Sequence, residues 1–159
     1  MQAVWALGLA SVALFMGLGW YLQPLQPNIV ALQFTFSPDA FQSVLDAWGP
    51  QGVQLFRLHL VIDDVLLLCY GAFGYLLVQR SAWFGGFAPA NQRRMAALMP
   101  LAALCDAEEN LLHGYLTGEG VAAAAAVYGA AGIAASAKWF CLLLFALLSA
   151  MVAWRWRKI

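Results

Sequence analysis

The sequence predicts an all-α, integral membrane four-helix bundle with a short external amphipathic helix between the first two spans. Three observations carry that expectation. The 159 residues are 64% hydrophobic and only 10% charged, with a mean hydropathy of +0.75, where a soluble domain carries roughly 25% charged residues. Four segments reach the about 20 mostly apolar residues that a spanning helix needs. Five acids, Asp63, Asp64, Asp106, Glu108 and Glu109, interrupt two of those segments. A carboxylate at membrane depth costs on the order of 2–3 kcal/mol, so such groups usually face the protein interior and mark a site. The formal net charge is zero, which gives no reason to expect a nucleic-acid partner.

The whole chain reads as one four-span membrane domain. The first span covers about residues 1–22, through VWALGLASVALFMGLGWYL to just before Pro24. It has no basic n-region and no clear small-x-small cleavage site, so it reads as a retained helix rather than a signal peptide. The other spans fall at about 53–78, 95–116 and 132–154, leaving an external loop at 23–52 and a short cytoplasmic loop at 79–94. Arg80, Arg93 and Arg94 flank that short loop, and Arg155, Arg157 and Lys158 follow the fourth span. The positive-inside rule then places both termini in the cytoplasm, as for a bacterial inner-membrane protein. Trp83, Trp154 and Trp156 stand where interfacial aromatics belong. Cys69, Cys105 and Cys141 lie in apolar runs without C-x-x-C spacing and read as small buried hydrophobes.

Within the external loop, NIVALQFTF alternates weakly between apolar and polar residues, which predicts a short extended segment. Ser37 can then cap a helix with Pro38 in its first turn, and Gly49-Pro50 ends it. Phe41, Val44, Leu45 and Trp48 form its apolar stripe, suited to a plug over the bundle or a lid on it. The alanine-rich stretch 118–132 fits either a surface helix or an extension of the fourth span.

Helical geometry sorts the charges. His59 and Asp63 are four residues apart and share a face with Phe56, Leu66 and Tyr70. Asp106, Glu109, Asn110 and His113 fall within an arc of roughly 100°. At 1.5 Å per residue, Asp63 and Glu109 lie about 15 Å and about 11 Å from the outer ends of their helices. The carboxylates therefore meet at one level, with both imidazoles closer to the outer surface. These residues suggest a site: His59, Asp63, Asp106 and Glu109 as catalytic groups, with Asn110, Tyr70 and Trp48 contacting substrate. Clustered carboxylates in low dielectric cannot all ionise, which suits acid–base chemistry near neutral pH. His59, Asp63, Glu109 and His113 also have the ligand chemistry for zinc, iron or manganese. Asp64 or Glu108 is expected to pair structurally with Arg57 or Lys138, because ions in low dielectric need partners. Only apolar residues, 99–105, lie below Asp106, which argues against a proton path through the chain.

Two resemblances bear on these residues. Asp106-Ala-Glu-Glu109-Asn110, with an aspartate midway along the second span, resembles the D-x-x-E-N run of small uncharacterised bacterial four-span membrane proteins. That likeness covers most of the chain and implies a fold without an activity. His59-Leu60-Val61-Ile62-Asp63 resembles the H-L-V-I-E stretch of sterol Δ8–Δ7 isomerases of the EXPERA group. It implies that His59 and Asp63 act on a carbocationic sterol intermediate, with Glu109 or Asp106 as a second acid. The acid here is Asp rather than Glu, and the family's aromatic and asparagine partners in the last helix have no counterpart in KWFCLLLFALLSA.

The function expected from the residues is binding of a hydrophobic small molecule within the bundle, with conversion by acid–base or metal-assisted chemistry. The competing class is an accessory or assembly subunit of a larger membrane complex or a homo-oligomer, its polar cluster gluing helices together or its histidines holding a pigment. A docking subunit would present a small-residue face, for which 122–132, Gly17 and Gly19 are the candidates.

Overall fold

The structure, a computed structural model, describes residues 1–156, with side chains to residue 155. Arg157, Lys158 and the side chain of Trp156, each used above to orient the chain, lie outside the described residues. Of the described residues 84% are helical, and no strand occurs among them. Its helices are α1 (Gln2–Tyr21), α2 (Ile29–Gln33), α3 (Pro38–Arg80), α4 (Pro89–Leu116) and α5 (Ala125–Trp156), with one 3-10 turn at Ala82–Phe84.

The segment expected to be extended is helical instead. Asn28 accepts a hydrogen bond from the Ala31 amide at 3.3 Å and so caps α2. A few residues of alternation cannot separate a period of 2 from one of 3.6, and the cap decides in favour of helix. Leu32 is then fully buried.

The start of α3 is as its sequence predicts. Ser37 accepts from the Ala40 amide at 3.3 Å, and Pro38 occupies the first turn. At Gly49 the backbone leaves the helix, with φ 64° and ψ 178°, a conformation that glycine alone adopts cheaply. Pro50 restarts the helix, where its missing amide has no partner to lose. The result is a short limb, 38–48, and a long limb, 50–80.

Packing runs as a row: α1 against α3, α3 against α4, and α4 against α5, with α2 bridging α3 and α5. The α3–α4 contact is close because Gly71 and Gly74 face it. A Cβ on Gly74 would collide with the side chain of Met99, and one on Gly71 would lie 3.0 Å from Ala103 Cβ. Two apolar cores result. One gathers Val78, Phe84, Met95, Met99 and Phe145, and the other Leu25, Leu32, Phe41, Trp48 and Phe56. The buried polar residues His59, Asp106, Glu109, Asn110, His113 and Lys138 fall between them.

The alanine-rich stretch resolves as a connector followed by an extension of the last helix, which runs unbroken through Gly129 and Gly132. A Cβ on Gly132 would sit 2.6 Å from the Thr35 carbonyl, so the chain after α2 lies directly on this face. The chain's own segment covers this face at Gly132, while Ala122 and residues 124–126 are exposed. Among the described residues three helices are long and apolar enough to cross a membrane: Gln2–Tyr21, Pro38–Arg80 and Ala125–Arg155. Helix α4, at 28 residues, is long enough but carries Asp106, Glu108 and Glu109 in its run.

The glycine contact yields a stability test. Gly74→Ala should lower stability by about 1–3 kcal/mol through overpacking. Combined with Met99→Ala, which vacates the same space, it should cost clearly less than the two single changes added together. Thermal unfolding of the four proteins in one detergent measures the coupling.

Candidate functional site

The buried face of α4 presents Asp106, Glu109, Asn110 and His113 one turn after another. Lys138 of α5 comes in between the first two. Its Nζ lies 2.8 Å from Asp106 Oδ1 and 2.6 Å from Glu109 Oε2. Lys138 is 5% exposed, Asp106 4% and Glu109 1%, so one ammonium is shared between two carboxylates away from water. The Tyr70 hydroxyl of α3 donates to the other Asp106 oxygen at 2.8 Å. Glu109 Oε1 is also 3.6 Å from His113 Nδ1.

Asn110 ties α4 to the middle of α3. Its amide nitrogen donates to Asp63 Oδ2 and to Asp64 Oδ1, each at 3.0 Å. Helices α3 and α4 therefore meet through an amide and a tyrosine, not carboxylate against carboxylate as the depths alone suggested. His59 Nδ1 is bonded to the Phe56 carbonyl. A carbonyl only accepts, so in the neutral ring the proton sits on Nδ1 and Nε2 is left as an acceptor. His113 Nε2 is buried without a hydrogen-bond partner among the described residues, its ring 5.7 Å from that of Phe41 and 5.8 Å from that of Phe56. The short limb of α3 thus closes this end of the cluster with an aromatic cover. Trp48 belongs to that cover. Its ring is 5.3 Å from Phe56 and its indole N–H donates to the Pro27 carbonyl at 2.6 Å.

Beside the cluster lies a cavity of about 500 Å³. Helices α1 and α5 do not pack along one another, and this cleft opens between them. Val12, Phe15 and Leu18 of α1 face Phe73 of α3 and Leu142 of α5 across it. Its polar wall is His59, Asp63, Tyr70, Asp106 and Lys138. Gln33 and Trp139 form part of the lining and are tied together by an indole N–H to Gln33 Oε1 bond of 3.0 Å. A second, more open groove of about 1030 Å³ runs beside the short limb of α3, past Asp46, Arg57 and Glu119. No member of the cluster lines it.

The structure brings four of the expected site residues to the cleft: His59, Asp63, Tyr70 and Asp106. Glu109, Asn110 and His113 stand behind the wall and hold it, and Trp48 is part of the aromatic cover rather than the lining. The expected ion pairs are different ones. Lys138 pairs with Asp106 and Glu109, not with Asp64 or Glu108. Arg57 donates to the Gly114 carbonyl at 2.9 Å and to Thr117 Oγ1 at 3.1 Å. The last turn of α4 leaves carbonyls without helical partners and the negative end of its dipole, which a guanidinium satisfies as well as an acid would. Asp64 is held by Asn110, and Glu108 is exposed.

The metal set His59, Asp63, Glu109 and His113 does not assemble: among the described residues no three His, Cys, Asp or Glu side chains converge as ligands. The ammonium of Lys138 fills the space between two carboxylates that a cation would take. His59 faces the cleft while His113 lies under Phe41. Sequence reasoning placed Lys138 as a peripheral partner and missed it as the centre. Its signal was that it stands alone as the cation in the apolar run of the last span.

No family model, curated protein or solved structure matches this chain; its function is therefore read from the site itself.

Removing the central charge should be worse than removing the whole network. Lys138→Met leaves two buried carboxylates uncompensated and should cost about 3–5 kcal/mol. Adding Asp106→Asn and Glu109→Gln to it should restore most of that loss. Yield and thermal midpoint in detergent, measured on the single and triple variants, give the comparison.

Proposed function

We propose that this chain is a four-span membrane protein that binds a hydrophobic small molecule in the cleft between α1 and α5, with the molecule's polar end against the charged wall. The carrying observation is the coincidence of an apolar cavity with a polar end built from His59, Asp63, Tyr70, Asp106 and Lys138. Binding sites for small organic molecules have this construction, mostly apolar lining with a few convergent polar groups, in cavities of roughly 300–1,000 Å³.

The exterior supports the membrane reading. Leu9, Phe15, Met16 and Trp20 of α1, Val61 and Leu68 of α3, and Phe140 and Leu147 of α5 are all exposed, far more apolar surface than a soluble monomer shows. Helix α4 fits as the remaining span because its outward face is also apolar: Leu104 is 69% exposed and Leu111 76%. Its acids at 106 and 109 point inward to Lys138. Arg80, Arg93, Arg94 and Arg155 stand at helix ends on one side, which supports reading that side, and both termini, as cytoplasmic in a bacterial inner membrane.

Conversion of the bound molecule, where it occurs, is acid–base chemistry by His59 and Asp63. These two line the cleft and are not committed to Lys138, whereas Asp106 and Glu109 fix the ammonium and act as positioning residues. They are also the pair that the sterol-isomerase resemblance singles out. A second reading, an accessory subunit of a larger complex, is favoured by one observation: Glu108 and Asp64 are exposed on the outer side of α3 and α4, where lipid would be a poor neighbour for a carboxylate.

Native mass spectrometry of the protein released from lipid nanodiscs separates these readings. The wild type should carry a co-purifying lipophilic molecule at near one per chain. Val12→Trp combined with Leu142→Trp, which fills the cleft, should lose it while keeping its thermal midpoint within a few degrees. A wild type that carries nothing in the cleft, but leaves the membrane only with another polypeptide, would overturn the binding role in favour of the subunit.

A further inference from the structure

The charge balance of the cleft wall, on the proposal that the cleft binds a ligand, goes on to specify the ligand's class. Lys138 is the one cation of the wall among the described residues, and its attraction is already divided between Asp106 and Glu109. One of its N–H groups is donated to Asp106 Oδ1, and Glu109 Oε2 stands against the same ammonium at 2.6 Å. Asp106 is in turn saturated from its other side by the Tyr70 hydroxyl. Asp63 is in the opposite position. It lines the same cleft, receives one neutral hydrogen bond, from Asn110, and has no ion pair among the described residues. An ionised carboxylate at the edge of an apolar cavity is costly until a cation joins it.

His59 provides an independent sign. It is 3% exposed and lines the cleft one helical turn from Asp63. Its Nδ1 is fixed on the Phe56 carbonyl, and its Nε2 has no hydrogen-bond partner among the described residues. Asp63 and His59, side by side on this wall, thus both present acceptors, and the charge in excess is negative.

We infer that the ligand is a lipophilic cation, an apolar body with a protonated amine whose N–H groups are received by Asp63 and His59. A fatty-acid anion would meet the Asp63 charge with only an ammonium already shared between two carboxylates to hold it. A neutral alcohol could bond either acceptor but would leave the charge uncompensated.

Three probes with one chain length and three head groups test this: 1-aminododecane, 1-dodecanol and dodecanoate, titrated against wild type and Asp63→Asn in nanodiscs of zwitterionic lipid. Binding is followed by the change in tryptophan fluorescence that Trp139→Phe abolishes. The amine should bind wild type about tenfold or more tighter than either other probe, as a charge-assisted hydrogen bond implies. Asp63→Asn should lose that preference, and a thermal midpoint within a few degrees of wild type shows that the variant is folded. Equal binding of the three probes, or preference for dodecanoate, would overturn the cation inference and leave the cleft intact as a binding site. If none of the three binds, the cleft reading fails and the inference with it.

Discussion

One buried ammonium organises this molecule. Lys138 on the last helix reaches two carboxylates a turn apart on its neighbour, at 2.8 and 2.6 Å, and none of the three groups has water to fall back on. That requirement fixes the rotation of α5 against α4. Once α4 is fixed, its other buried polar groups must find partners on α3, and they do: Asp106 with Tyr70, and Asn110 with Asp63 and Asp64. Apolar packing alone does not specify such a register. The small residues between α3 and α4, above all Gly74 against Met99, then let the two backbones approach closely enough for these short side chains to meet.

The cleft follows from what α1 does not do. It packs on α3 and leaves α5 facing it across a gap, bridged at one end by α2 through the Gln33–Trp139 bond. The gap is lined by valine, leucine and phenylalanine, but its inner wall is the edge of the ionic network. An apolar space with one polar end is a place for an amphipathic molecule. The aromatic cover from the short limb of α3, with Phe41 over His113 and Trp48 on Phe56, separates the rear of the network from the open groove beyond it. The Lys138–Asp106 pair is therefore reached through the cleft.

Much of this was legible in the residues. Ser37-Pro38 and Gly49-Pro50 mark the two ends of the short limb because capping, a fixed proline φ and a glycine conformation are local properties. The inward face of α4 was readable because 106, 109, 110 and 113 share an arc at the helical period. The partners were not readable. Which acid meets Lys138 depends on how α5 is rotated and how far it slides along α4, and a helical period carries neither. Arg57 found helix carbonyls rather than a carboxylate for the same reason: sequence shows charges, but an unfilled helix end is an acceptor only once the helix exists. The segment after Asn28 was too short for its period to be told, and one side-chain cap settled it. The small residues around Gly132 gave no sign of whether they face a partner or the chain's own α2 connection.

The most direct test is a density map of the protein in a lipid nanodisc, at a resolution that separates side chains. It should show the Lys138 ammonium between Asp106 and Glu109, and an elongated non-protein feature entering between α1 and α5 with its end beside Asp63. A map in which α1 packs directly against α5, or in which Lys138 turns away from both carboxylates toward the lipid, would contradict the account.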